Sequence, residues 1–328
     1  MKRKVLAVAV MCSLCLGMFA GCGSDGADTQ EASGDKGSIY FVSGISGGAM
    51  FGPCQEGFEE ACKELGYEAN WVAPTTVANA SEMVQLCENA LSDGAEAIVL
   101  LPVEEEAFVD VLTRAKESGL AVVTCNGTMS QDYSDAWIGT DPEGCGIAQA
   151  EAVMNEFEPE DEINLVYLQS YLTSVTQNEG YDAMVKELRD NGYKVNVKDE
   201  WRGECKGDMT IGADLISAMM KASPEINCVV MSDGGGSIGV KSYIEENGKG
   251  DLVLIGMDDE PPTLNAVKDG TFNSTVIQNF REMGYESAYL CDKILTGEDY
   301  EYDNDSGSSI LYADEVDAHA EEVGIELE

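Results

Sequence analysis

The chain has 328 residues and a formal net charge of −42, from 61 acidic and 19 basic residues. A chain of this length is long enough to form two lobes, each with its own hydrophobic core. Binding to a phosphate backbone needs clusters of Lys and Arg, and the chain has none after its first four residues. We therefore do not expect nucleic acid as a partner, and we interpret the acidic residues as a solvated surface.

The first 21 residues predict a lipoprotein export signal. A basic start at residues 2–4 precedes an uncharged run over residues 5–20. This run is shorter than the ~20 residues that a membrane-spanning helix needs. Phe19-Ala20-Gly21-Cys22 resembles a bacterial lipobox, which implies cleavage before Cys22 and acylation of its thiol. The alternative is an ordinary secretory signal that is cut near Gly21.

Residues 22–37 predict a flexible tether. From Gly23 to Gly37 the sequence contains no large apolar residue, as is typical of a linker without a core of its own. With a lipid on Cys22, the tether would hold the folded body at the outer face of the cell membrane.

From Ser38 onward, short apolar strands alternate with amphipathic helices. The predicted strands are 38–42, 68–72, 97–101, 121–125, 137–138, 163–168, 195–197, 228–231, 252–256 and 274–278. The predicted helices are 52–65, 81–91, 105–117, 143–157, 177–191, 212–221, 237–247, 261–269 and 281–295. Two such runs in succession predict two similar α/β lobes with parallel sheets.

Eight cysteines remain after the signal and Cys22 are set aside. They are Cys54, Cys62, Cys87, Cys125, Cys145, Cys205, Cys228 and Cys291. An exported protein could join them in four disulfides. Most of them, however, occupy apolar helix positions or strand ends, which favours a role as small packing residues. No CxxC pair occurs and His319 is the one histidine, so we expect no metal site.

The sequence Gly234-Gly235-Gly236-Ser237 follows a predicted strand and precedes a predicted helix. Backbone amides at such a place can bind phosphate, but the Lys of a phosphate-binding loop is missing. We predict a flexible loop, with Ser237 as the helix cap.

The candidate binding residues follow the predicted strands, because ligands of open α/β sheets bind beyond the carboxyl ends of the strands. The polar residues at these positions are 43–51, Asn126, Thr140, Asp141, 169–177, Ser232, Asp233, Asp258 and Gln278. If two lobes face each other, these loops form the walls of a cleft.

Motifs in and around these loops resemble the type I periplasmic sugar-binding proteins of ABC transporters, the ribose and galactose receptor group. The resemblance runs from about Ile39 to Leu311 and is specific because of the order and spacing of its parts. These are Glu56-Gly57-Phe58, Leu65-Gly66-Tyr67, Asp93 to Ile98, Gly139-Thr140-Asp141, Glu179-Gly180-Tyr181, Ser232-Asp233, Ile255 to Asp258 and Val276-Ile277-Gln278.

This resemblance implies two Rossmann-like lobes, joined by a three-strand hinge, that close on one small molecule. It places the N-terminal lobe at 38–140 plus 279–308 and the C-terminal lobe at 141–278 plus 309–328. No cofactor and no enzymatic activity are implied.

The resemblance also implies the ligand contacts. Met50 and Phe51 stand where the family has stacking aromatics, although Phe51 could instead pack against the following helix. Asp258 and Gln278 match the ligands of sugar hydroxyls. The remaining candidates are Asn126, Asp141, Gln177, Ser232 and Trp201, the last with a core role as an equal alternative.

Two departures from the family pattern narrow the class of ligand that the pocket suits. Asn126-Gly127 stands where the family often has Asp-Arg, and Gln177 stands where it often has Arg. Arginine is the residue suited to bidentate contacts with carboxylate and phosphate. The pocket therefore suits a neutral polyol, a glycoside or a cationic solute better than an anion.

The expected function is that of a lipid-anchored, monomeric receptor that delivers a sugar-like neutral solute to an ABC permease. One alternative is a sensor that presents its closed state to a chemoreceptor or a sensor kinase. A less favoured alternative is a hydrolase that uses paired carboxylates such as Asp141 and Asp258.

Overall fold

The computed structural model of the protein describes residues 36–46 and 51–327. The predicted export signal, the lipidation site Cys22, nearly all of the tether and the stacking residue Met50 lie outside the described residues. Within them, no helix is both long enough and apolar enough to cross a membrane.

The described chain alternates strands and helices. The strands are β1 (Ser38–Val42), β2 (Glu68–Val72), β3 (Ala97–Leu100), β4 (Ala121–Cys125), β5 (Ala136–Gly139), β6 (Glu162–Gln169), β7 (Lys194–Asn196), β8 (Arg202–Glu204), β9 (Cys228–Met231), β10 (Val253–Met257), β11 (Ser274–Gln278), β12 (Asp303–Asp305) and β13 (Ser308–Leu311). The helices are α1 (Phe51–Leu65), α2 (Ala80–Asp93), α3 (Glu105–Glu117), α4 (Pro142–Met154), α5 (Val175–Asp190), α6 (Met209–Ala222), α7 (Gly234–Asn247), α8 (Pro261–Lys268), α9 (Phe280–Thr296) and α10 (Val316–Glu322).

The strands form two sheets. The first has the order β12-β5-β4-β3-β1-β2, and all of its pairings are parallel. The second has the order β13-β11-β10-β9-β6-β7, with β8 also paired to β6, and only β13 runs antiparallel to its neighbour. This architecture confirms the predicted α/β fold with two parallel-sheet lobes.

The chain passes between the two sheets three times, from β5 to α4, from β11 to α9 and from β12 to β13. Helix α9 returns to the first sheet, where Phe280, Met283 and Leu290 join the core of α1. The proposed lobes remain 38–140 with 279–308 and 141–278 with 309–328, although Ser308 is the first residue of β13 in the second sheet.

Helices cover both faces of each sheet. In the first lobe, α1 and α9 pack on one face, and α2 and α3 pack on the other. In the second lobe, α4 and α5 cover one face, whereas α6, α7, α8 and α10 cover the other. Strands covered on both sides must be apolar throughout, which explains the uninterrupted runs at β3, β4 and β9.

The eight described cysteines contribute to these cores. All eight are free, seven are buried, and Cys145 is partly exposed. Their placement agrees with packing rather than with a framework of disulfides in the described chain.

The glycine run after β9 is helical rather than the flexible loop that was predicted. Gly234 to Gly236 form the first turn of α7, and the cap is Asp233, whose side chain accepts from the Gly236 amide at 2.7 Å. Ser237 is inside the helix, where its hydroxyl donates to the Asp233 carbonyl oxygen at 3.1 Å. A Cβ at Gly235 would lie 2.1 Å from the Gly207 carbonyl oxygen, so the glycines allow close packing rather than flexibility.

Helices α1 and α9 are close enough to require glycine at their crossing. A Cβ at Gly284 would lie 1.9 Å from the Cys54 carbonyl oxygen, and one at Gly57 would lie 2.2 Å from that of Arg281. We predict that Gly284→Ala lowers the free energy of unfolding by about 1–3 kcal/mol, because the backbones must separate. Denaturant titration measures this.

Lys63→Ala, at an exposed position of α1 in the same helix pair, is the control, since it changes no atom at the crossing. We expect it to change the free energy of unfolding by less than about 0.5 kcal/mol. Equal destabilisation by both substitutions would contradict the proposed close crossing.

Candidate functional site

A cavity of about 480 Å³ lies where the carboxyl ends of the strands of the two sheets face each other. The first lobe contributes Asn126, Thr128, Trp137, Thr140 and Asp303. The second contributes Asp141, Pro142, Cys145, Gln149, Tyr167, Thr176, Gln177, Glu179, Gly180, Ser232, Met257 and Gln278. We call this cavity the cleft.

The structure brings together five of the nine residues predicted to bind the ligand. Those that line the cleft are Asn126, Asp141, Gln177, Ser232 and Gln278. Asp258 is not among the lining residues, but its carboxylate accepts a hydrogen bond at 2.8 Å from the side-chain amide of Gln278, which does line the cleft.

The two helices that border the cleft, α4 and α5, each begin after a residue whose side chain caps the helix. Asp141 caps α4 and accepts from the Gly144 amide at 2.7 Å, and Ser174 caps α5. Because Gln177 lies in the first turn of α5, its side-chain amide reaches the Ser232 carbonyl oxygen at 3.2 Å. A carboxylate and an amide thus stand at the N-terminal ends of two helices that border the cleft.

Gln149 forms a further polar part of the wall. It is 1% exposed, and its amide donates to the Met231 carbonyl oxygen at 2.9 Å, while its oxygen accepts from the Tyr167 hydroxyl at 3.4 Å. Amides that both donate and accept suit a ligand with neighbouring hydroxyl groups.

Asp258 follows β10 and has an unusual environment. Its φ is +67°, in the left-handed region, and the residue is 6% exposed. Burial, and then the neighbouring Glu260, raise the pKa of the Asp258 carboxyl to about 7. Because ionising this buried carboxyl group costs free energy, a ligand that donates hydrogen bonds to the carboxylate would stabilise the charged form.

The structure places two of the predicted aromatic contacts away from the cleft lining. Phe51 is 9% exposed and packs against Phe280 of α9, with ring centroids 5.3 Å apart. Trp201 is 1% exposed in the core of the second lobe, and its outer face is covered by Lys198. Neither ring lines the cleft.

The aromatic residue that does line the cleft is Trp137, on β5. Its ring lies against Gly139, where a Cβ would be 2.4 Å from the indole. Within the described residues, the indole nitrogen of Trp137 and the hydroxyl of the neighbouring Thr140 are buried without a hydrogen-bond partner. These free polar groups beside a flat ring could contact a polar ligand.

The charge of the cleft is negative. Among the residues that the structure describes, its lining includes Asp141, Glu179 and Asp303 but no Lys, Arg or His. Arg202 is held elsewhere, with its guanidinium 4.1 Å from the Tyr181 ring centroid and a hydrogen bond to Asn178 at 2.6 Å. A cleft of this charge disfavours anionic ligands, as expected from the two missing arginines.

The buried Asp258 carboxyl predicts a pH-dependent stability. Since its pKa is about 7 in the folded protein, against roughly 4 when unfolded, the native state holds the proton more tightly and stability falls as pH rises between these values. We predict that Asp258→Asn stabilises the solute-free protein by about 2 kcal/mol or more near pH 8 and by much less near pH 5.

Unfolding measured at both pH values, with the exposed Asp214→Asn as control, tests this prediction. The same stabilisation at both values would show that Asp258 is not the group responsible.

The chain is similar to known proteins in sequence and in structure. A relative, the xylitol-binding protein of Mycolicibacterium smegmatis, is 24% identical over 326 residues, which cover 98% of this chain and 88% of the relative. The arabinose-binding protein AraP from Geobacillus stearothermophilus has a similar structure, with a TM-score of 0.78 at 19% identity over 86% of this chain and 98% of that one. XylFII in its complex with LytSN superposes with a TM-score of 0.72 at 20% identity, over 85% and 98% of the two chains.

At these identities the solved structures establish the fold alone. The family model described as a periplasmic binding protein domain matches residues 39–299, which is most of the chain and includes the strand ends that form the cleft. The motifs around these strand ends predicted the same family, and the two-sheet topology agrees with it. The chain therefore belongs to the periplasmic binding protein family, in its type I form.

Proposed function

We propose that this protein is a solute receptor of an ABC importer and that it binds a sugar or a sugar-like polar solute in the cleft. The observation that carries the proposal is the Asp258–Gln278 pair, with an amide that lines the cleft and a buried carboxylate behind it. Around this pair are further amides and the indole of Trp137, groups that match the hydroxyls and the apolar face of a sugar ring. Relatives named for xylitol and arabinose support this ligand class.

The mechanism follows from the three crossings between the lobes. A solute that contacts Trp137 in the first lobe and Gln278 in the second gains both sets of contacts only when the lobes are closed. Its differential affinity for that state shifts the population toward closure. The closed protein then presents both lobes to the permease, with a single chain sufficient as the receptor.

A thermal-shift panel of sugars, polyols and their acidic analogues tests the ligand class. A bound solute at about 100 times its Kd raises the free energy of unfolding by about 2.7 kcal/mol. We expect one or more neutral members to stabilise the protein and the matched sugar acids to have no effect, because the cleft offers no cation. Stabilisation by the acids alone would contradict the proposed charge selectivity.

The variant Gln278→Ala should weaken binding of that solute about tenfold or more, since it removes a cleft amide and leaves Asp258 without its partner. The exposed Gln85→Ala is the matched control. Normal binding by Gln278→Ala would place the solute elsewhere. Turnover of the solute, rather than its retention, would favour the carboxylate hydrolase.

We further propose that the mature chain begins at an acylated Cys22 and is anchored to the outer face of the cell membrane. The support is the signal sequence and the Gly- and Ser-containing stretch that follows it. Mass spectrometry of the N-terminal peptide should find a lipid-modified Cys22, and Cys22→Ser should release the protein into the medium. An unmodified N-terminus would remove the anchor but leave the receptor proposal intact.

The second candidate function is a sensor that passes its closed state to a signalling partner. The observation that favours it is the similarity to XylFII, which has been solved in a complex with LytSN. The same cleft and the same closure would serve both functions, so the partner that is captured by the closed protein distinguishes them.

A further inference from the structure

The loop Asp258-Asp259-Glu260, between β10 and α8, carries a conformation that needs support. A left-handed backbone costs a residue other than glycine about 1–2 kcal/mol. Asp258 adopts it with φ +67° while also burying a carboxyl group. Such a conformation persists only where its surroundings fix it.

Asp258 is hydrogen-bonded to the second sheet, and Glu260 packs against α7. The Asp258 amide donates to the Val276 carbonyl oxygen at 2.9 Å, and its own carbonyl oxygen accepts from the Thr275 hydroxyl at 2.9 Å. The Glu260 carboxylate lies against Gly234, where a Cβ would be 2.1 Å from its oxygen.

Asp259, the middle residue, is fixed from the C-terminal helix α10. Its carboxylate lies 3.0 Å from the Nε2 atom of His319, and the side chains are 9% and 15% exposed. Helix α10 is itself docked in the core, where Val316 and Ala320 pack with Leu264 of α8. His319 is the one histidine of the chain and lies beyond the family match at 39–299.

His319 is also the one basic side chain, within residues 36–46 and 51–327, at ion-pair distance from the three acids of this loop. A cavity of about 200 Å³ beside it is lined by Asp259, Arg281 and Glu322. Arg281 pairs with Glu60 of α1, and Lys268 pairs with Asp317. The nearby cations are thus engaged by other carboxylates.

We propose that His319 is a positioning residue of the solute site, which holds Asp259 and thereby keeps the neighbouring Asp258 in its binding conformation. The C-terminal helix then belongs to the binding machinery although it contributes no residue to the cleft lining. The role in binding rests on the proposed function, whereas the role in ordering the loop does not.

Hydrogen–deuterium exchange of the solute-free protein tests the inference without a known ligand. The reporter is the peptide that contains the amides of Asp258, Thr263 and Leu264, which are hydrogen-bonded in and after the loop. We expect His319→Ala to speed their exchange about tenfold, which corresponds to about 1.4 kcal/mol of local stability. His319→Gln should restore slow exchange, because its amide can still donate to Asp259.

Asp317→Asn is the matched control, since it removes the exposed ion pair with Lys268 from the same helix and leaves Asp259 untouched. Unchanged exchange in His319→Ala, or an equal increase in Asp317→Asn, would overturn the inference in favour of simple helix docking. If His319→Ala does not fold, His319→Asn, whose shorter amide does not reach Asp259, replaces it with the same expected result.

For any solute found by the panel, His319→Ala should raise the Kd about tenfold and His319→Gln should restore it. Failure of every solute would count against the proposed ligand class and leave the exchange result standing. Slow exchange in His319→Ala would refute the positioning role even if a sugar binds.

Discussion

Parallel strand pairing is the constraint on which the rest of this structure depends. In a parallel sheet every strand ends at the same edge, so the loops that follow the strands meet without being close in sequence. Asn126 and Ser232 directly follow β4 and β9, Gln278 is the last residue of β11, and all three line one cleft. The three crossings then set one such edge against the other, which turns two ordinary sheets into two walls of a single site.

The conformation of Asp258 lowers the stability of the solute-free protein. A buried carboxyl group with φ +67° combines a desolvation cost with a backbone cost at Asp258. The surrounding contacts come from β11, α7 and α10, elements far apart in sequence. The conformation of Asp258 therefore depends on several elements of the second lobe and is not a local property of its own loop.

The sequence could predict strands β1 to β7 and β9 to β11 and helices α1 to α9, because these depend on local apolar patterns. It did not predict β8, β12, β13 or α10. Strand ends could also be found, and with them Asn126, Ser232 and Gln278. The position of an aromatic ring could not be predicted, because Trp137 and Trp201 both occur near strands. Only tertiary packing decides that Trp137 lines the cleft and that Trp201 fills a core. Strand β8 carries too few residues to show a period. The glycines of α7 reflect close contacts with distant residues, as for Gly235 with Gly207, which lies 28 positions earlier in the sequence.

The buried cysteines have a consequence for the reactivity of the folded protein. Seven thiols lie buried among the apolar side chains of the two lobes, where a reagent in solution does not reach them. Their modification then requires local opening of the core that contains them, so the rate of thiol modification reports how often each core opens.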